Sequence, residues 1–271
     1  MTKLSLFKNS KPIIGMVHLL PLPGSPYYNG SMQPILERAR SDALILHEAN
    51  YDGMIIENYF DKPYITGLGP LERTVAFTIV LNEIRKIVSI PVGVNIQFND
   101  YEAEIITAGL CEANFVRIEA FVDSLTTPGG ITPACAAEAQ RLKARFGFKE
   151  LVLFADVHVK EATLIGNATF LQSLYNAEEA GADAIIVTGT TTGQAPPLTL
   201  LEETRKHTSL DIFVGSGLNK FNAYEMLSIA DGAIVGSSIK VDGKTSNPID
   251  PVSARELITV VKGEPNDFFT L

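Results

Sequence analysis

Basic residues, cysteine and long apolar runs are all scarce in this sequence, and each scarcity removes a class of protein. Lysine and arginine number 22 against 31 aspartates and glutamates, giving a formal net charge of -9 and a sequence pI of about 5.0. A nucleic-acid binder would need a basic patch, and none is written here. No apolar run approaches the ~20 residues that cross a bilayer. The opening stretch Met1-Thr2-Lys3-Leu4-Ser5-Leu6-Phe7-Lys8 has no apolar core and does not read as a secretory leader. The two cysteines, Cys111 and Cys135, sit in no metal or redox spacing. Two scattered thiols suit a reducing cytosol, which is the expected compartment. In that compartment the triplet Asn167-Ala168-Thr169 is no glycosylation signal. A glycine-rich dinucleotide fingerprint is missing too, because the first apolar run leads into His18-Leu19-Leu20-Pro21. There is no linker, charge block or low-complexity tract, so residues 1–271 read as one domain.

What remains is an ordinary globular composition, 46% hydrophobic and 20% charged, organised by an internal near-repeat. A helix tail, a short turn, an acidic or amide residue and a β run recur at His47–Glu57, Ala108–Arg117, Glu179–Thr188 and Ser228–Gly236. Repetition of an α-turn-β unit implies a parallel sheet. Eight β runs are predicted, at Pro12–His18, Gly53–Asn58, Val92–Gln97, Phe115–Phe121, Leu151–Lys160, Ala184–Gly189, Asp211–Gly217 and Gly232–Ile239. Amphipathic helices are expected at Gln33–Ala49, Leu71–Val88, Tyr101–Ala108, Pro133–Phe146, Asn167–Ala180, Leu198–Lys206, Asn222–Ser228 and Pro251–Val261. Strict β/α alternation of this count predicts an α/β fold, a single (β/α)8 barrel. Turns into strands are short, whereas the loops leaving them at Leu19–Met32, Tyr59–Pro70, Val122–Thr132 and Thr190–Pro197 are long. In a barrel those long loops share the C-terminal face, where active sites form.

Buried parallel strands are normally apolar throughout, but these turn polar at their ends. His18 ends the first run, Glu57 and Asn58 the second, and Thr188 lies near the end of the sixth. Asn95 and Gln97 stand two apart, as do Arg117 and Glu119, and Asp156, His158 and Lys160 alternate along the fifth. The period of two sends each such set to one face, predicted to be the barrel interior near its mouth. A buried charge needs a partner, so a structural web of ion pairs is one reading and an active site the other. As a site, Asp156 or Glu119 is the expected general base, His158 the acid or electrophile, and Lys160 with Arg117 the oxyanion stabiliser. A divalent metal on His18, Glu57, Asp156 and His158 is a further option, as is a Schiff base on Lys160. The seventh and eighth runs end in Gly215-Ser216-Gly217 and Gly236-Ser237-Ser238. Glycine admits close approach of a ligand to backbone N–H groups, so this pair is expected to hold a phosphate. His18, Glu57, Asn95 and Thr188 complete the expected substrate-binding set.

Several of these stretches carry a resemblance. Lys11–Pro26, containing Gly15-Met16-Val17-His18 and Pro21-Leu22-Pro23-Gly24, resembles the signature of the BtpA/SgcQ family. Asp52-Gly53, Glu57-Asn58, Asp156–Lys160, Val187-Thr188-Gly189, Thr192-Gly193 and Val214–Gly217 extend it over nearly the whole chain. The resemblance implies a TIM barrel, and links to photosystem I biogenesis in some members and to sugar-utilisation gene clusters in others. Labels such as phosphoribosylanthranilate isomerase and nucleotide phosphatase also occur in it, although no cysteine ends the first strand here, where that isomerase is expected to have one. The expected function is therefore acid–base chemistry, of isomerase, epimerase or lyase type, on a phosphorylated sugar or ribose-phosphate compound. A metal-dependent phosphohydrolase and a non-enzymatic assembly factor for a membrane complex are the alternatives. A homo-oligomer stays open.

Overall fold

A computed structural model describes residues 3–263 and forms a closed barrel. Its eight parallel strands are β1 (Ile13–His18), β2 (Gly53–Glu57), β3 (Val92–Asn95), β4 (Phe115–Ile118), β7 (Val152–Val157), β9 (Ala184–Val187), β10 (Asp211–Val214) and β11 (Gly232–Val235). Closure comes from β1, which pairs with β2 on one side and β11 on the other. Helices α1 (Gln33–Glu48), α2 (Leu71–Ile87), α3 (Tyr101–Leu110), α4 (Ala136–Phe146), α5 (Phe170–Glu179), α6 (Leu198–His207), α7 (Ala223–Ile229) and α8 (Pro251–Lys262) surround it. Each expected strand and helix is present, with ends shifted by a few residues. Among the described residues no helix is long and apolar enough to cross a membrane.

The near-repeat has a physical basis at the barrel floor. Asp52 accepts the backbone N–H of Ile13 (2.8 Å), Asn114 that of Val92 (2.9 Å), Asp183 that of Leu153 (2.8 Å) and Asp231 that of Ile212 (2.9 Å). In each case the side chain that precedes one strand caps the start of the strand before it. The repeat therefore preserves an acceptor for strand-end donors that would otherwise be buried unpaired.

Inward positions change character from floor to mouth. Phe115, Phe154 and Phe213 pack with centroids 4.8 Å apart in successive pairs, and Phe7 covers them from the N-terminal segment at 6.0 Å and 6.2 Å. A Cβ at Gly93 would lie 2.2 Å from the Phe115 ring, so glycine there makes room for the aromatic floor. Two residues further along the same faces come Arg117, Asp156, Gly215 and Asn95, and the interior becomes polar. A larger apolar layer lies between strands and helices.

One element set was not anticipated. β5 (Leu125–Thr127) pairs antiparallel with β6 (Gly130–Thr132) and with β8 (Thr163–Leu164), making a small sheet from the segments after β4 and β7. Strands this short carry too little alternation to read. Beneath them Phe98, Ala120, Leu125 and Val159 form an apolar cluster with Tyr64, Ala162 and Leu164 packed against it.

Candidate active site

The strands open into a cavity of about 310 Å³, lined at one end by Gly, Ser and Thr, centrally by charged groups, and at the other end by rings. The first end is a cup from the segments after β9, β10 and β11, with Thr192, Gly193, Gly215, Ser216, Gly217, Gly236 and Ser237 at the wall. Gly217 has φ +72, and a Cβ there would lie 2.1 Å from the Ala195 nitrogen, so only glycine suits that approach. The Ser216 hydroxyl accepts from the Gly189 N–H (3.1 Å) and donates to the Gln194 carbonyl (2.7 Å). It therefore shapes the cup and leaves backbone amides and Ser237 to meet a ligand. Ser238 does not line the cavity, because its hydroxyl turns away to the Leu218 carbonyl at 2.8 Å. Thr188 packs under Gly215 with its hydroxyl buried and unpartnered, also off the cavity wall.

Four ionisable groups gather at the centre. Arg117 donates through Nε (2.8 Å) and Nη2 (3.0 Å) to both oxygens of Asp156. Asp156 thus has both oxygens engaged below the cavity, so of the two expected bases Glu119 is the one on the wall, which Arg117 also reaches. Glu119 is buried and lines the cavity. Its Oε1 accepts from Asn95 (2.7 Å), and its Oε2 has no partner. Burial, partly opposed by the charge of Arg117, pushes its carboxyl up to about 8. Lys160 lines the same cavity and makes no hydrogen bond or ion pair among the described residues. Burial and the neighbouring Arg117 lower its ammonium from the ordinary value.

His18 and Glu57 stand on the facing wall, with His18 Nε2 4.0 Å from Glu57 Oε1. That distance is at the outer reach of an ion pair. Burial and the charge of Lys240 drive His18 well below its usual value, so the ring does not supply the cation of such a pair, and burial raises Glu57 from the ordinary carboxylate value. The His18 ring stacks on Tyr59 at 4.6 Å, leaving Nδ1 unpartnered. Behind the wall, Asn95 donates to Glu119, to the Arg117 carbonyl (3.0 Å) and to Glu104 (3.2 Å). It orients other groups and does not itself reach the cavity, contrary to its expected place in the binding set.

His158 departs furthest from expectation. Strand β7 ends at Val157, and His158 has φ 50, so the alternation of faces stops one residue earlier. The ring turns outward, with Nε2 3.2 Å from Ser173 Oγ on α5 and its edge toward Phe170 at 5.6 Å. Ser173 in turn donates to Asp123 at 2.7 Å. The predicted face shared by Asp156, His158 and Lys160 is therefore broken at its middle member. The expected metal set of His18, Glu57, Asp156 and His158 is dispersed for the same reason, and no cluster of three or more His, Cys, Asp or Glu among the described residues could hold a metal ion. Sequence reasoning missed Tyr59, Lys62, Tyr64, Phe98 and Thr192 at the wall. The length of the loops Tyr59–Pro70 and Thr190–Pro197 was the signal available for most of them. Glu104, buried on α3, gave none beyond a charge on an apolar helix face.

Comparison with known proteins places this geometry. The profile of the BtpA family matches residues 9–263. An uncharacterized protein of Pyrococcus abyssi is 41% identical over 253 residues, 93% of this chain and 96% of that protein. The photosystem I biogenesis protein BtpA of Synechocystis is 32% identical over 254 residues, 93% of this chain and 88% of that protein. Among solved structures, N-(5'-phosphoribosyl)anthranilate isomerase from Pyrococcus furiosus superposes with TM-score 0.58 at 12% identity, over 94% of this chain and 100% of its own. Thiamine phosphate pyrophosphorylase from the same organism gives TM-score 0.57 at 14% identity, over 93% and 96%. At such identities the structures show a shared barrel fold.

Proposed function

The chain belongs to the BtpA family, and on that premise we propose that its barrel mouth binds a phosphorylated sugar or ribose-phosphate compound and acts on it by acid–base chemistry of isomerase, epimerase or lyase type. The observation that carries this reading is the shared cavity: a cup of glycine and serine, an unpaired Lys160 and a proton-holding Glu119 line one space. The cup supplies backbone N–H groups to the phosphate, as strand-end loops of a barrel do. Fold neighbours whose names include phosphorylated compounds lend it support.

Glu119 is suited to carry the proton. A carboxyl whose pKa lies near neutrality both takes and returns a proton without a large penalty. In the proposed step the ionised fraction of Glu119, present near neutral pH because its carboxyl titrates at about 8, removes a proton from the carbon beside a substrate carbonyl. The electron pair of the broken C–H bond forms a C=C bond to the carbonyl carbon, the C=O π pair moves onto the oxygen, and Lys160 and Arg117 stabilise the charge that develops there. Return of the proton to the former carbonyl carbon, with the hydroxyl proton of the deprotonated carbon passing to the former carbonyl oxygen, isomerises the substrate; delivery of a proton to the opposite face of the original carbon, by a donor other than Glu119, epimerises it. Asn95 fixes the Glu119 carboxyl, and His18 and Glu57 face it across the cavity as hydrogen-bonding groups.

A thermal-shift screen of sugar phosphates and nucleotides, with and without divalent metals, tests the reading. Bound ligand must raise the Tm of the native chain, and Glu119→Gln should abolish turnover of any substrate found while leaving the shift in place. A screen without any shift would refute it. The name of the Synechocystis relative favours a second reading, a factor that assists assembly of a membrane complex. A scaffold should tolerate Glu119→Gln and Lys160→Met. Loss of biological activity in both, with the fold intact by circular dichroism, would count against it.

A further inference from the structure

The two ends of the cavity differ chemically, and the difference bears on what the substrate is. Opposite the cup, the wall is made by Tyr64, Phe98, Val159 and Pro128. Tyr64, Phe98 and Val159 belong to the apolar cluster under the β5-β6-β8 sheet, separate from both the barrel floor and the helix layer. Phe98 is 7% exposed and Val159 7%, so what little surface they keep faces the cavity. The Tyr64 hydroxyl donates to the Tyr59 carbonyl at 2.8 Å, which leaves its ring, not its oxygen, as the surface on offer. Tyr59 is already engaged, stacked on His18 and approached by Lys62 Nζ at 4.3 Å from its centroid. The faces of Phe98 and Val159 offer sugar hydroxyls no hydrogen-bond partner, and burying hydroxyls against them costs free energy unless Gln97 or Lys160 beside them reaches in.

We propose that the substrate carries a planar, largely apolar ring at the end opposite its phosphate, held against Tyr64, Phe98 and Val159. This rests on the phosphate reading of the cup and narrows the substrate class within it. Aromatic surfaces favour stacked or edge-on rings, and Lys62 at the rim adds a cation for an acidic substituent on such a ring. Aromatic and apolar walls with few polar groups are also what planar ligands meet in binding pockets generally.

Calorimetric titration of the full chain with inorganic phosphate, ribose 5-phosphate, phenyl phosphate and adenosine monophosphate tests it. A ring compound should bind roughly tenfold or more tightly than ribose 5-phosphate. The excess should vanish in Tyr64→Ala, with affinity for inorganic phosphate unchanged. An excess for phenyl phosphate alone supports a single ring, and one for adenosine monophosphate alone supports a nucleobase. Ribose 5-phosphate matching both ring compounds in the wild-type chain overturns the inference and leaves the phosphate site standing. So does an excess that survives both Tyr64→Ala and Phe98→Leu. If none of the four binds, the phosphate reading itself fails and the ring falls with it.

Discussion

At the scale of single residues, Glu119 is the carboxyl on the cavity wall whose burial has a measurable consequence. The folded chain raises its carboxyl to about 8 from the ordinary 4.5, so folding strengthens its hold on the proton. The associated stabilisation is complete below about pH 4.5 and is lost as the pH climbs through about 8. Glu119→Gln cannot lose it, so the unfolding free energy of that variant in urea should fall less steeply than the wild type's between about pH 5 and 9. Carboxyl-carbon NMR should show one resonance titrating near pH 8 that the variant lacks. Titration of Glu119 in the usual carboxylate range would remove it from the proposed chemistry. The neighbouring Arg117–Asp156 pair makes a different prediction. Arg117→Met strands a buried carboxylate and should cost about 3–5 kcal/mol in denaturant unfolding, much of it recovered in Arg117→Met with Asp156→Leu. Equal losses in the single and double variants would show that the pair's charge is not what matters.

At the scale of elements, the chain was most legible where one side chain does one backbone job. Asp52, Asn114, Asp183 and Asp231 stood out in the sequence as a repeat, and each caps the start of the preceding strand. Asn114→Ala should therefore cost about 1–3 kcal/mol by leaving the Val92 N–H unpaired. Hydrogen exchange at Val92 should accelerate well beyond that at Phe154, and equal exchange would argue against the capping role. Legibility ended where strands ended. Alternation alone cannot report that His158 adopts a left-handed conformation, which a residue other than glycine takes only at some cost. Nor could three-residue strands over the mouth be told from loop. The cup was readable as glycine and serine at two strand ends, but its third arm, Thr192-Gly193, lies in a loop with no β pattern to mark it. Gly217→Ala should destabilise by about 1–2 kcal/mol, since it forces a Cβ into both a left-handed conformation and the Ala195 nitrogen. The same variant should weaken inorganic phosphate in calorimetry, and unchanged binding would locate the anion elsewhere.

At the scale of the whole molecule, the chain carries a net charge of -9, yet its proposed ligand is an anion. The field must be local, from backbone amides, Lys160 and Lys62, with Glu119 held largely protonated by burial and Glu57 shifted in the same direction. Phosphate at 100 times its Kd should add about 2.7 kcal/mol to native stability and raise the Tm by several degrees. The rise should diminish in Lys160→Met. The closed sheet has one more consequence, set in time rather than space. Translation delivers β1 first and its second neighbour β11 last. Each capped pair of strands can lock soon after it leaves the ribosome, because the capping residue follows its target within a few dozen positions. The seam between β1 and β11 cannot, so the growing polypeptide carries two bare sheet edges until Gly232–Val235 emerges. The interval in which those edges stay open to association with neighbours is thus no shorter than the time between synthesis of β1 and emergence of Gly232–Val235.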